Sequence, residues 1–441
     1  MKNTINSYSS SLGNMTTYNK NKRKKILKMS NKSFECSSKK SLTSSFKKTK
    51  MKNPFPNYIP LDKYENIRTY KYKGGDTSIF YIYCMCPFCD WLVPKFPIWL
   101  APNLITITGF FLNVSYFTLT TIYSGFKGST KIPSWVCYYS AISYCIYITL
   151  DNCDGKQSRR NNSSSPLGLL VDHGTDACTT FFITLGLGSI LGLNNIIDYT
   201  FIWIMIIVPF FLNTWEEYYT GELILPIIHG VSEGMLIIAL VECISGFYGV
   251  SFWLRSFNLF NSEIKYNSII VFGGFLAGIF FGIVSIVKVC MRIEKSKIPK
   301  AIFDTLWFFF YLGSYLLIIF KSNSIIVKEY PKILILGYGF EFAKIMGILQ
   351  LSHIMNDNFN PYRSYFILPV LLNSIHCIVY WFYDFEILFS IDYLIVFTLI
   401  WNFLSWAHFV YFCSEEMCEI LNIKRFSIGK RYPELKEKKT Q

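Results

Sequence analysis

The chain has 441 residues, of which 51% are hydrophobic and only 16% charged, a balance that excludes a set of ordinary soluble domains and points to a membrane protein. Its net charge of +14 is lopsided, because residues 1–53 hold 14 Lys/Arg against the single acid Glu35 and so carry +13 of it. What remains is near neutral, which excludes a nucleic-acid-binding body and leaves the lipid bilayer as the partner.

In chain order, residues 1–53 are rich in Ser, Asn and Lys and too poor in apolar residues to offset the entropy of ordering, so they read as a disordered basic cytosolic tail. Residues 54–103, with Trp91, Trp99 and several Pro, read as an interfacial segment whose helices lie on the membrane surface. Cys84, Cys86 and Cys89 have no nearby His or fourth Cys and read as packing residues rather than zinc ligands.

Ten apolar runs follow, at 104–124, 132–151, 169–193, 198–216, 231–253, 268–290, 301–321, 333–352, 363–383 and 391–413. Each approaches the ~20 helical residues that cross a ~30 Å hydrocarbon core. A backbone in lipid must satisfy its own hydrogen bonds, and the runs are too long for barrel strands. The fold class is therefore all-α integral membrane, a bundle of about ten transmembrane helices with interfacial N-terminal helices. Residues 104–413 form the membrane domain, and 414–441 a basic cytosolic C-terminal tail. Lys156, Arg159 and Arg160, then Arg292, Lys295, Lys297 and Lys300, then Lys424, Arg425, Lys430 and Arg431 agree with one topology, each group on the cytosolic face with the tail.

Residues 150–180 read LDNCDGKQSRRNNSSSPLGLLVDHGTDACTT. Four Asp at or inside two membrane helices are costly, about 2.5 to 3.5 kcal/mol each at a helix centre, and need compensation. Asp151 and Asp154 are spaced i, i+3, and Asp172 and Asp176 i, i+4, so each pair faces one side of its helix. A connecting loop containing Gly155, Ser163 to Ser165 and Pro166 would set the helices antiparallel and let the pairs converge. Four carboxylates so placed suit hard cations, Mg²⁺ or Mn²⁺. Helix capping and pairing with Lys156, Arg159 and Arg160 would account for two such Asp, but poorly for four.

The pattern Asp-x2-Asp-Gly-x2-Ser-Arg-x8-Gly-x3-Asp-x3-Asp, over Asp151, Asp154, Gly155, Arg159, Gly168, Asp172 and Asp176, resembles the CDP-alcohol phosphatidyltransferase class-I signature. Trp99-Leu100-Ala101-Pro102-Asn103 and Trp215-Glu216-Glu217-Tyr218 look like its choline/ethanolamine phosphotransferase branch. The resemblance implies transfer of phosphocholine or phosphoethanolamine from CDP-choline or CDP-ethanolamine to diacylglycerol, giving phosphatidylcholine or phosphatidylethanolamine plus CMP. It implies two metal ions held by Asp151, Asp154, Asp172 and Asp176, and nucleotide and phosphate contacts from Asn103, Gly155, Arg159, Asn162 and Gly168. It further implies a homodimer and a multi-pass protein of the endoplasmic reticulum with its site facing the cytosol.

His173, beside Asp172, is the expected general base, oriented by Glu233, with Asp176 as the rival base and His229, Glu216 and Glu217 as weaker candidates. Ser158 stands where the family has Ala. Leu169 stands where the branch has Glu, which bears on donor recognition rather than on the metal site. A CDP-diacylglycerol-dependent transferase, or a non-catalytic scaffold or transporter, are the alternatives.

Overall fold

The computed structural model describes residues 57–128, 131–225, 232–259, 262–360, 367–383 and 389–431. The expected basic tail over 1–53 and His229 lie outside them. Among the described residues ten helices have 17 residues or more: α3 (Pro102–Ser124), α4 (Ser134–Arg160), α5 (Pro166–Ile190), α6 (Ile196–Thr220), α7 (Ser232–Tyr248), α8 (Tyr266–Arg292), α9 (Ile298–Lys321), α11 (Pro331–Met355), α12 (Ile367–Tyr383) and α13 (Ile391–Leu421). The short helices α1 (Tyr64–Thr69) and α2 (Cys86–Leu92) precede them, and α10 (Ile325–Glu329) joins α9 to α11.

Each long helix falls on one of the ten apolar runs. Six of them, α3, α6, α8, α9, α11 and α13, are long and apolar enough among the described residues to cross a membrane. The chain is an all-α multi-pass membrane protein. The helices outside that six include α4 and α5, which carry the charged motif.

The centre of the bundle is α5 and α11: every residue from Ala177 to Ile190, and from Glu341 to Ser352, is buried. Around them the other helices turn apolar stripes outward, as α8 does with Phe272, Leu276, Phe280, Ile283 and Val287, the pattern of a lipid-facing surface. The opposite face of α8 carries Gly274, Gly278 and Gly282, which let it approach α6 closely. A Cβ on Gly278 would lie 2.6 Å from the carbonyl oxygen and 2.7 Å from the Cα of Met205, both backbone atoms that cannot swing aside. Gly278→Ala is therefore expected to cost about 1–3 kcal/mol through forced separation of α6 and α8, read as a lowered unfolding temperature in detergent.

Three local features differ from the sequence expectation. Helix α4 continues through Gly155 to Arg160, so the reversal is made by Asn161 to Ser165 alone, with Asn162 left-handed at φ 54°. A helical Gly155 costs some propensity but leaves an uncrowded backbone face. Helix α13 runs on to Leu421, where Glu415, Glu416 and Glu419 share one face of its last turns, Glu415 pairing with Arg425 at 2.9 Å and Glu416 with backbone N–H groups of the first described segment. The segment ahead of α3 holds a strand as well as helices: β1 (Gly74–Asp76) pairs in parallel with β2 (Leu223–Leu225), which follows α6. A second ribbon, β3 (Ser256–Leu259) with β4 (Ser262–Lys265), is an antiparallel hairpin before α8.

That N-terminal segment is strapped to the ends of α11 and α13. Glu416 accepts from the backbone N–H of Tyr58 and Ile59 at 3.2 and 2.9 Å, Asn66 donates to the Met355 carbonyl at 2.6 Å, and Arg68 to the Ile420 carbonyl at 3.2 Å.

Candidate active site

The α4–α5 hairpin positions the four Asp. Ser165 accepts from the Gly168 N–H at 3.2 Å as N-cap of α5, and Pro166 occupies the first turn, where a missing N–H is harmless. The antiparallel helices face Asp151 and Asp154 toward Asp172 and Asp176, and one oxygen from each of Asp151, Asp172 and Asp176 lies within 4.8 Å of the others. Asp154 accepts a hydrogen bond from the Thr106 hydroxyl of α3, and Tyr147 Oη donates to Asp176 Oδ1 at 2.6 Å. Two further oxygens, Oδ1 of Asp151 and of Asp172, are buried with no hydrogen-bond partner. Buried carboxylate oxygens without donors are what a hard divalent cation satisfies, so the residues present fit one.

All four Asp line a cavity of about 340 Å³ together with His173, Gly155 and Arg159. Of the three basic residues after the first Asp pair, Arg159 alone lines it. Lys156 is held by Asp90 at 2.6 Å, a pairing that lowers the Asp90 carboxyl below its usual range. Arg160 donates to the carbonyls of Val93 and Phe96 at 3.0 and 2.8 Å, tying the surface segment to the hairpin.

Asn103 and Gly168 sit at the same end of the bundle. Asn103 Oδ1 lies 3.6 Å from where a Gly168 Cβ would stand, and its Nδ2 donates to the Arg425 carbonyl at 2.9 Å. Asn162 is in the turn, and none of these three lines the cavity among the described residues.

Beside the His173 ring the structure places Glu217, with Nδ1 to Oε2 at 4.0 Å. The other Glu217 oxygen lies 3.7 Å from His353 Nε2, which is 3.0 Å from the Tyr70 hydroxyl. Burial, and then the nearby Glu217, push the Tyr70 phenol above its usual range, so it meets His353 as a neutral hydroxyl. Glu233 occupies the first turn of α7, just before the cavity-lining Met235, and Glu216 turns the other way to Lys288 at 3.6 Å.

Sequence reasoning passed over Tyr147 and Thr106. Tyr147 had a signal, since it precedes Asp151 by one helical turn and shares its face. The cavity's roof, with Tyr72, Gly74, Gly75 and Asp76, had none, because it depends on β1 meeting β2 far along the chain.

Residues 99–218, which hold the hairpin and its flanking helices, match the family model described as CDP-alcohol phosphatidyltransferase. Over 313 residues the chain is 32% identical to choline/ethanolaminephosphotransferase 1 of Arabidopsis thaliana, covering 68% of this chain and 79% of that protein. It is 38% identical over 215 residues to ethanolaminephosphotransferase 1 of Homo sapiens, covering 46% and 53% of the two chains. An uncharacterized CDP-alcohol phosphatidyltransferase class-I family protein of Dictyostelium discoideum is 32% identical, with 86% of this chain and 98% of that one covered.

Proposed function

The chain belongs to the CDP-alcohol phosphatidyltransferase family, and on that premise we propose that it transfers phosphocholine or phosphoethanolamine from the CDP-linked donor to diacylglycerol, releasing CMP. The observation that carries the reading is the convergence of Asp151, Asp154, Asp172 and Asp176 with Arg159 and His173 in one cavity.

Asp151, Asp154, Asp172 and Asp176 are the groups that would hold two Mg²⁺ or Mn²⁺ ions. When bound, these would neutralise pyrophosphate charge and stabilise the departing phosphate. Arg159 presents a planar fork to two phosphate oxygens, and Gly155 leaves backbone open for their approach. Asn103, Asn162 and Gly168, at the same end of the hairpin, are assigned to the nucleotide. His173 takes the proton of the acceptor hydroxyl as its oxygen bonds to the β-phosphorus, and the bond from that phosphorus to the oxygen bridging to the α-phosphorus breaks, its electron pair leaving with CMP. Asp176 serves this step less well as base, since Tyr147 already occupies one of its oxygens. Glu217 or Glu233 orients the imidazole.

The cavity-lining Leu223 follows Glu222, which pairs with Arg292 at 3.3 Å, and the Arg425 carbonyl receives Asn103. Basic loops at this end support a cytosolic site in our reading, and the endoplasmic reticulum is the membrane we assign. A homodimer, formed through apolar helices away from the Asp hairpin, completes the proposal.

The test is CMP release from CDP-choline and from CDP-ethanolamine with diacylglycerol in detergent micelles. Turnover with at least one donor that stops on chelation and returns with Mg²⁺ or Mn²⁺ is expected. Turnover that survives chelation sinks the mechanism.

A further inference from the structure

We propose that the ammonium end of the donor is held by Asp76, Tyr72 and Tyr81, side chains of the segment ahead of α3 that roofs the cavity, and that these residues set headgroup preference. This rests on the donor being a CDP-amino-alcohol, as proposed above.

The roof is a built feature. Pairing of Gly74 with Leu223 and Asp76 with Leu225 fixes β1 over the cavity. A Cβ on Gly74 would stand 2.1 Å from the Tyr72 hydroxyl and 2.9 Å from the Leu223 carbonyl oxygen, so a glycine is what allows Tyr72 to fold back against the ribbon. Asp76 Oδ1 accepts from the Ser78 N–H at 2.7 Å, which fixes the carboxylate at the start of the following turn. That turn brings Phe80, Tyr81 and Met85 into the cavity wall.

Charge then assigns the occupant. The ammonium sits two carbons and an oxygen from the β-phosphorus and needs a partner of its own, because the four motif Asp are matched to cations. Outside those four, Asp76 is the only carboxylate among the described residues lining the cavity, and Tyr72, Phe80 and Tyr81 line the same cavity. A quaternary ammonium has no N–H to donate, so a carboxylate charge and aromatic faces are its recognition chemistry. A primary ammonium adds hydrogen bonds, which the Tyr72 hydroxyl and Asp76 accept.

The experiment compares native chain, Asp76→Asn and Tyr72→Phe for the Michaelis constants of CDP-choline and CDP-ethanolamine and for inhibition by CMP, which lacks the headgroup. Asn keeps an acceptor for the Ser78 N–H, so Asp76→Asn removes the charge and retains that hydrogen bond. Expected is a rise of about tenfold in the constant for both donors, with CMP inhibition unchanged. Tyr72→Phe should weaken CDP-ethanolamine more than CDP-choline. Unchanged donor constants, or an equal loss for CMP, overturn the proposal.

If the native chain turns over neither donor, the proposed function fails separately. Calorimetric binding of CDP-choline and CMP to native and Asp76→Asn protein then decides the headgroup contact. Native protein binding the two equally overturns it, and a CDP-choline advantage lost in Asp76→Asn supports it.

Discussion

Replacing Asp172 by Ala is expected to lower CMP release by at least about a thousandfold, some 4 kcal/mol of transition-state stabilisation. Asp172 lies within 4.8 Å of Asp151 and Asp176, and its Oδ1 has no protein donor. No neighbouring side chain can replace it, since Asp154 is engaged by Thr106 and Asp176 by Tyr147. The fold should not suffer. Close carboxylates repel when ionised, so without metal the variant unfolds at the native temperature or above it. The sign reverses when Mg²⁺ is added, because a cation that binds only the folded state raises the native unfolding temperature and leaves the variant's unmoved. Equal metal-dependent stabilisation of both proteins would remove Asp172 from the metal site.

His173→Asn is expected to cost about 10²- to 10⁴-fold in turnover, the range for loss of a positioned general base, with little change in the donor Michaelis constant. A loss below tenfold would hand the role to Asp176. Its partner is decided by two further variants. Glu217→Gln should lower turnover if the carboxylate 4.0 Å from Nδ1 orients the ring, whereas a loss confined to Glu233→Gln assigns that task to the start of α7.

Much of this architecture could be read from the residues because membrane insertion imposes a coarse, strong rule: about 20 apolar residues per crossing. The ten long helices fall where the apolar runs do, and six of them are long and apolar enough among the described residues to cross a membrane. The Asp hairpin was equally legible, since four carboxylates in membrane helices have few physical uses and their spacings fix the helix faces. Helix ends were harder. Gly155 looked like part of the turn but lies inside α4, where i→i−4 bonding outweighs its low propensity. Leu421 ends α13 beyond its apolar run because an amphipathic helix can leave the bilayer without unwinding. The roof was out of reach, as a parallel pair joining Gly74 to Leu223 depends on backbone meeting backbone and writes little into side chains.

The strap between the first and last described parts of the chain also sets an order of events during synthesis. The catalytic motif is complete once Asp176 has been made, yet Asn103 waits for Arg425, and Tyr58 and Ile59 wait for Glu416. At about 5–20 residues per second, the interval from residue 176 to residue 425 is roughly 12 to 50 s. Throughout it the Asp hairpin stands without the strap that later closes over the same end of the bundle. A ribosome that stalls before α13 therefore leaves Tyr58, Ile59 and Asn103 without these partners, and the packing of the first described segment waits on the last described helix.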